Sequence, residues 1–341
     1  MARISFSLAV LIRRPKVRKQ LYAYIIFISF LAVVTPVAAQ EVIVFEAGPI
    51  HMETGGGWIA LEKGYYKKIA VKEIQGGVGI SAIQKVMASL KEGNIAFGID
   101  QPENILRSRE KEGIDLVGLS VDFQSSAMRI ISWSPIRSSR EIKGDFGIWP
   151  GYETKAICAV GKDWDKQFSI QTQGEDIQPW LMGYWPLASA MTYDQLIIAQ
   201  REVKKMNKVF YTIDYRDLGI DWMENVLFTT EEVIRKYPDI VQTVVTGRCK
   251  GYKWIFENPR EAFETLKKTD EGLNLAREIE AISPMKLLMF TPETKKYGLG
   301  HISPKKWENV GRNMFKTGFL EKMPYVKKIY TERFPSGVMP K

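Results

Sequence analysis

Few residues in this chain have the chemistry that catalysis requires. Its 341 residues include two histidines, His51 and His301, and two cysteines, Cys158 and Cys249. They form no HExxH or CxxC motif and no His/Cys cluster at ligand spacing, so a metal site would have to consist of carboxylates. The chain also lacks a GxSxG nucleophile turn and a GxxxxGK(S/T) phosphate loop. We therefore expect a protein that binds a molecule without transforming it, and we expect no cofactor and no metal.

A glycine-rich segment, Gly77-Val-Gly79-Ile-Ser-Ala82, has the composition of an anion-binding turn. It lies between a predicted strand and a predicted helix, where free backbone N–H groups and the Ser81 hydroxyl would face a crevice. The segment also fits the permissive dinucleotide pattern, with Asp100 in the place of the ribose-binding acid. Because it follows the second strand of its unit and not the first, we favour the simpler turn, and nucleotide binding is the alternative.

Ligands of open α/β sheets bind outside the carboxyl ends of the strands, and this rule nominates the turn after each predicted strand. Trp149, Tyr152 and Tyr193 follow strands of the second half and offer flat faces for a conjugated ring. The alternative for each residue is structural, such as core packing for Trp149 or a backbone-satisfied loop position for His51. The predicted ligand-binding residues are Glu46, His51, Gly79, Ser81, Gln101, Gln124, Trp149, Tyr152, Thr192, Tyr193 and Asp194.

Two successive units of alternating strands and helices must position these residues. Ile83, Val86, Met87 and Leu90 form one apolar helical stripe in the first unit. Strands that alternate with helices predict parallel pairing and an α/β lobe. The predicted strands of this unit are Val42–Phe45, Ile69–Ile74, Ile95–Ile99, Leu116–Val121 and Ile130–Trp133, and its helices are Ile59–Tyr66, Ser81–Lys91 and Glu103–Glu112.

The second unit is followed by a strand and a run of helices. Its predicted strands are Phe146–Trp149, Phe168–Gln171, Leu187–Met191 and Val209–Thr212, with helices near Tyr152–Val160, Asp176–Met182 and Tyr193–Met206. The last strand is Val226–Thr229, and a short helix opens at Thr230, where Thr229 or Thr230 can cap it. The helices after it are Pro238–Asn258, Pro259–Lys268, Gly272–Ile282 and Pro304–Thr317. We expect this segment to return to the first lobe. The predicted lobes are therefore residues 40–135 with 226–341, and residues 136–225.

The N-terminal 39 residues have the composition of an export signal. Six basic residues and no acid precede or flank the apolar run Leu21–Val34, and small residues end at Ala39. An uncleaved anchor is the alternative, although the apolar run is short for a span. The net charge of +9 falls to +3 without the six basic residues of this segment, so we expect no nucleic-acid partner. Cys158 and Cys249 fall on different predicted lobes, and we expect free thiols in place of a hinge-restraining disulfide.

Several segments resemble one family of proteins in order and spacing. Gly56-Gly-Trp-Ile-Ala-Leu-Glu-Lys-Gly-Tyr-Tyr66 is similar to the A-x-x-x-GYF helix of the periplasmic binding proteins for nitrate, sulfonates, taurine and thiamine-pyrimidine or riboflavin precursors. Val86-Met-Ala-Ser-Leu-Lys-Glu-Gly93 with Ile95-Ala-Phe-Gly98 resembles that family's V-x-SG-x-x-DFG segment. Further similar segments are Ser138-Ser-Arg-Glu-Ile-Lys-Gly144, Gly147-Ile-Trp149 and Met191-Thr-Tyr-Asp-Gln195.

The resemblance implies a two-lobed periplasmic-binding-protein fold of type II, with the ligand in the cleft between the lobes. It implies a small-molecule ligand, a membrane permease and an ATPase as partners, and a periplasmic or otherwise extracytoplasmic location. The segments around Trp149 and Tyr193 are most similar to the branch that binds pyrimidine precursors and riboflavin. Related eukaryotic proteins synthesise the thiamine pyrimidine with a cysteine-rich segment, which two isolated cysteines do not supply. Sulfonate, nitrate or taurine binding and pyrimidine synthesis are the alternatives.

Overall fold

The computed structural model describes residues 41–67, 69–77 and 81–340. The predicted export signal, residues 1–39, therefore lies outside the described residues. Within the described ranges, no helix combines the length and the apolar composition that a membrane span requires.

Ten strands form two five-stranded sheets. In chain order the strands are β1 (Val42–Phe45), β2 (Val71–Ile74), β3 (Ile95–Asp100), β4 (Leu116–Phe123), β5 (Met128–Ser132), β6 (Gly144–Ile148), β7 (Phe168–Thr172), β8 (Leu187–Met191), β9 (Tyr211–Asp214) and β10 (Glu224–Thr230). The first sheet has the order β2-β1-β3-β10-β4, and the second has the order β7-β6-β8-β5-β9. We call each sheet, with the helices packed on it, a lobe.

Twelve helices accompany these strands in the described ranges. They are α1 (Gly55–Glu62), α2 (Ala82–Lys91), α3 (Pro102–Glu112), α4 (Glu153–Val160), α5 (Gln178–Leu181), α6 (Gln195–Lys205), α7 (Glu231–Lys236), α8 (Pro238–Glu257), α9 (Pro259–Lys267), α10 (Leu275–Met289), α11 (Pro292–Tyr297) and α12 (Pro304–Thr317). The predicted cap at Thr230 is present, since its hydroxyl accepts from the backbone of Val233, and the Ser81 hydroxyl caps α2 by accepting from the backbone of Ile83. Helix α10 passes the predicted end at Ile282 and continues through Pro284.

The predicted parallel pairing is confirmed for most strands of each sheet. It is wrong for one strand in each sheet. In the first sheet β1 pairs in parallel with β2 and β3, while β10 pairs antiparallel with β3 and β4. In the second sheet β6 pairs in parallel with β7 and β8, while β5 is antiparallel to β8 and β9. Strands β5 and β10 each enter directly from the other lobe without a helical crossover, so they run against their neighbours.

The first crossover lies earlier than the sequence predicted. Strand β5 falls inside residues 40–135, which we assigned to the first lobe, but Met128 pairs with Met191 of the second sheet. The chain therefore changes lobe at residues 124–127 and returns at residues 219–223. An apolar run that is buried on both faces does not specify its sheet, because either sheet satisfies its side chains equally well.

Glycines let α8 lie directly across α1. A Cβ atom at Gly251 would collide with the carbonyl oxygen of Gly56, and one at Gly56 would lie 2.5 Å from the ring of Tyr252. The predicted helix begins at Ile59, but Gly55 to Gly57 already form the first turn of α1. The close helix crossing offsets the poor helix propensity of glycine. Packing of α8 on α1 keeps the C-terminal helices on the first lobe, and Cys158 on α4 and Cys249 on α8 are free thiols.

A buried charged cluster joins the two crossovers. Glu224 accepts hydrogen bonds from the Ser126 hydroxyl and from the backbone N–H of Ala127, the latter at 2.7 Å. It also pairs with Lys155 of α4, and both side chains are almost completely buried. Glu103 of α3 lies in the same interior, neither of its carboxylate oxygens has a hydrogen-bond partner among the described residues, and burial raises its pKa to about 7. The nearby Lys155 charge opposes this rise without cancelling it.

Glu103→Gln should change how stability depends on pH. The native carboxyl holds its proton up to about pH 7 and the unfolded one only to about pH 4.5, so the native state loses about 3 kcal/mol as the pH rises between these values. A glutamine cannot ionise, so the variant should unfold at a higher urea concentration than the wild type at pH 8, with a smaller difference at pH 5. Glu264→Gln, an exposed change on α9, serves as control. Equal pH dependence in wild type and Glu103→Gln would contradict the assignment.

Candidate functional site

A cavity of about 410 Å³ lies where the strand ends of the two sheets face each other. Turns after β1 and β3 contribute the segment 47–49 and the pair Asp100 and Gln101. Turns after β6 and β8 contribute the segment 149–152 together with Met191 and Tyr193. The volume is that of a small-molecule site, and the lining residues come from both lobes. The cavity is therefore the cleft that the resemblance implied.

Three aromatic side chains form the wall that the second lobe contributes. Tyr152 and Tyr193 are almost fully buried, and Trp149 is half-buried with an indole N–H that has no partner among the described residues. The Tyr193 ring lies 5.8 Å from the ring of Phe123, in a tilted arrangement that fixes its plane. The Tyr152 hydroxyl accepts a long hydrogen bond of 3.4 Å from Gln101. This wall offers flat faces and one free donor.

The first lobe contributes acceptor groups, of which Asp100 is the most enclosed. One oxygen accepts from the Ser81 hydroxyl at 2.8 Å and from Ala82 at 3.0 Å, and the other accepts from Gln101 and Asn104 at 2.8 Å. Burial raises the pKa of Asp100, and these four donors counteract the rise. Asp100 therefore connects the starts of α2 and α3, and its bonds to the protein leave it poorly suited to the ribose contact of the nucleotide alternative.

Glu53 lies at the boundary between the main cavity and a smaller cavity of about 80 Å³. Burial raises the pKa of its carboxyl to about 7, and the charge of Glu278 adds to this effect. His51, beside it, bonds through Nδ1 to Glu278 at 2.8 Å. Burial alone lowers the pKa of His51, but the hydrogen bond to Glu278 and the charges of Glu53 and Glu278 outweigh it and raise that pKa to about 9.

The structure brings most of the predicted residues to these two cavities. Ser81, Gln101 and Tyr152 line the main cavity, Trp149 and Tyr193 line both, and His51 and Asp194 line the smaller one. The Oε1 atom of Gln101 is buried and has no partner among the described residues, so it is an available acceptor. Gly79 lies outside the described residues.

Three predicted residues occupy other positions. Glu46 is buried in an ion pair with Arg248 of α8, which also binds Asp122, so its carboxylate neutralises an interior cation. Gln124 donates to the backbone oxygen of His301 at 2.9 Å and holds a crossover in place. Thr192 bonds through its backbone N–H to Ala127, and its hydroxyl is buried outside both cavity linings. These residues were predicted because they lie next to strand ends. The direction of each side chain, however, decides whether it faces the cleft.

Several lining residues were missed by the sequence analysis. Asn225 has a left-handed backbone with φ of 55°, and its side chain accepts from Gln101 at 3.5 Å. Arg107 lines the main cavity from α3, while Arg277 and Glu278 line the smaller one from α10. No local pattern marks positions on helices that reach the cleft from the C-terminal segment, because the tertiary fold alone places them there.

Ion pairs and hydrogen bonds connect the lobes across the cleft. Arg277 of α10 pairs with Asp194 of the second lobe at 2.7 Å and with Glu175 at 3.5 Å. Arg107 of α3 donates to the Thr154 hydroxyl at 2.6 Å on the other side of the main cavity. These contacts join the two lobes beside the cavities.

Arg277→Gln should shift the lobes toward a more open arrangement. Because the Arg277 side chain is 40% exposed, its pairing is expected to contribute only on the order of 0.5–1 kcal/mol to closure. The mean inter-lobe distance, measured with a fluorophore pair or as the radius of gyration, should therefore increase. Lys268→Gln, which removes an ion pair to Glu62 inside the first lobe, should leave the distance unchanged. An unchanged distance in Arg277→Gln would exclude this contact as a determinant of closure.

Comparison with protein-family models identifies one match. The model described as "NMT1/THI5 like" matches residues 52–262, more than half of the chain. A comparison with curated proteins finds no match.

Solved structures share the fold at low sequence identity. The periplasmic aliphatic sulphonate binding protein SsuA from Escherichia coli has 11% identity and a TM-score of 0.59, covering 89% of this chain and 94% of that chain. The ligand binding component of an ABC-type import system from Staphylococcus aureus, with zinc bound, has 13% identity and a TM-score of 0.59, covering 87% and 100%. A Candida albicans protein with the generic periplasmic binding protein fold has 10% identity and a TM-score of 0.56, covering 86% and 96%. The predicted α/β periplasmic-binding-protein fold is confirmed.

Proposed function

Because this chain belongs to the NMT1/THI5-like family, we propose that it is the solute receptor of an ATP-driven uptake system and binds a small planar heterocycle. Its partners would be a membrane permease and an ATPase, and its location would be periplasmic or otherwise extracytoplasmic. The protein would capture its ligand without transforming it. Formation of a pyrimidine product by the purified protein would contradict this part of the proposal.

The arrangement of aromatic rings and acceptors in one cavity is the observation that carries the proposal. Trp149, Tyr152 and Tyr193 supply flat faces from the second lobe, while Glu53 and Gln101 supply acceptor oxygens from the first. A planar ring that carries amino or ring N–H donors would stack on the former and bond to the latter. Thiamine-pyrimidine precursors and flavins have this combination of groups.

The charges of the main cavity favour a neutral or cationic ligand over an anion. Glu53, Asp100 and Glu112 line it with Arg107 as the one opposing cation among the described lining residues. A sulfonate would lie close to these carboxylates, and the unfavourable Coulomb energy would have to be offset by Arg107 alone. The Nε atom of Arg107 is buried and has no hydrogen-bond partner among the described residues, which is the observation that favours a sulfonate or nitrate receptor as the second candidate.

Ligand binding would operate by closure of the lobes. A ligand that contacts both walls binds the closed form more tightly than the open form and therefore shifts the population toward it. The permease would then recognise the closed form. The crossovers at residues 124–127 and 219–223 are the segments about which the lobes would move.

A thermal-shift screen distinguishes the two candidates. The purified protein would be heated with pyrimidines, flavins, nitrate, sulfonates and taurine, each at a concentration well above the expected dissociation constant. A heterocycle should raise the melting temperature, because a ligand that binds only the native state stabilises it. Stabilisation by a sulfonate alone would instead support the second candidate.

Trp149→Ala should weaken binding of the heterocycle identified in that screen by about 1–3 kcal/mol, because the ligand would lose its stacking partner. Isothermal titration calorimetry would measure the dissociation constant of wild type and variant. Tyr184→Ala, at a position in the same lobe that is 70% exposed, serves as control and should bind like the wild type. Unchanged affinity of a folded Trp149→Ala protein would remove Trp149 from the binding site.

A further inference from the structure

Three side chains that can bind a metal ion converge beside the cleft. His51, Glu53 and Glu278 each offer one ligand atom, and these atoms lie within 4.8 Å of one another. Glu278 is separated from His51 by 227 positions in the chain, so only the folded protein brings the three together. Our expectation that a metal site would consist of carboxylates alone did not include such a mixed cluster.

The protein holds two of the three side chains in place through its backbone. The second oxygen of Glu278 accepts from the backbone N–H of Met52 at 2.9 Å, and its first oxygen bonds to His51. The backbone N–H of His51 donates to the Thr54 hydroxyl, which donates in turn to the backbone oxygen of Pro49. The loop and α10 therefore fix the imidazole and one carboxylate before any ion binds, which lowers the entropic cost of binding.

The Glu53 carboxylate interacts with the charge of His51 but forms no hydrogen bond or ion pair with another side chain among the described residues. It also lies close to Glu278. Arg277, which lines the same cavity, is paired with Asp194 and Glu175. Two adjacent carboxylates repel each other, and a divalent cation between them would replace this repulsion with attraction.

Space for an ion is present between the lobes. The smaller cavity of about 80 Å³ is lined by all three side chains and, from the second lobe, by Asp194 and Trp149. This volume exceeds the roughly 30 Å³ that one water molecule occupies in the liquid, so an ion could retain a water or accept a further ligand on the cleft side.

We propose that His51, Glu53 and Glu278 form a binding site for a divalent transition-metal ion of the Zn²⁺ or Mn²⁺ type. One imidazole nitrogen with two carboxylate oxygens suits these ions better than Ca²⁺ or Mg²⁺, which prefer oxygen ligands alone. Tetrahedral zinc ligands lie about 2.0–2.2 Å from the ion and therefore about 3.3 Å from each other. Because a metal-ligating imidazole is neutral, binding of the ion would displace one proton from His51 to solvent.

The site would lie at the rim of the main cavity, since Glu53 lines both spaces. Three protein ligands leave a coordination position open toward the cleft, where a ligand atom, a water or Asp194 could bind. Metal binding and the proposed receptor function are separate claims. If the metal-free protein binds a heterocycle, the proposed receptor function is supported whatever the metal titrations show. The metal site is tested separately by those titrations.

Calorimetry on the purified full chain tests the site. The protein, without a polyhistidine tag, is dialysed against EDTA and then against chelator-free buffer, and is titrated with ZnCl₂ and separately with MnCl₂. We expect one ion per chain for at least one of these metals. His51→Gln and Glu53→Gln should each weaken binding at least tenfold, because each removes one ligand. The exposed change Glu271→Gln should bind like the wild type.

Glu53→Gln is the decisive variant, because its side chain forms no hydrogen bond to another side chain among the described residues, and circular dichroism should show that it folds like the wild type without metal. X-ray absorption of the loaded protein should show nitrogen and oxygen ligands. The proposal is wrong if neither metal binds, if both variants bind as tightly as the wild type, or if only Ca²⁺ and Mg²⁺ bind. Sulfur in the coordination shell would assign the ion to Cys158 or Cys249 and would equally overturn it.

Discussion

The buried carboxylate of Glu224 sets the geometry on which the cleft depends. It receives hydrogen bonds from one crossover, at Ser126 and Ala127, while it belongs to the strand that follows the other crossover. Its ion pair with Lys155 adds a helix of the second lobe to the same point. A buried pair is not a strong source of net stability, but removing one partner typically costs about 3–5 kcal/mol because the other charge stays buried and unpaired. The crossovers are thus tied together where the lobes meet.

The walls of the cleft differ because each lobe supplies a different kind of turn. The first lobe directs the starts of α2 and α3 at the cavity and anchors them on Asp100, which produces a surface of carboxylates and amides. The second lobe supplies Trp149, Tyr152 and Tyr193 after its strands. An acceptor surface opposite an aromatic surface selects for planar, donor-bearing molecules, and this asymmetry underlies the proposed ligand class.

Charge is also divided between two kinds of buried site. In the first lobe Arg248 neutralises Glu46 and Asp122, so these acids serve the interior and do not reach a ligand. At the rim of the cleft, Glu278 pairs with His51, while Glu53 has no ion pair among the described residues because Arg277 is engaged across the lobes. A buried glutamate that is paired with its own arginine therefore stabilises the core, whereas a glutamate without an ion-pair partner remains able to bind a ligand.

The sequence by itself determined the α/β class, nearly all strands and helices, the capped helix start at Thr230, and the aromatic residues of the cleft, because these depend on local periodicity and on position after a strand. Tertiary structure alone decided that β5 joins the second sheet, that Glu46 and Gln124 turn away from the cleft, and that Glu278 meets His51. The physical reason is that sheet membership and side-chain direction follow from packing between segments far apart in the chain. No local propensity encodes such contacts.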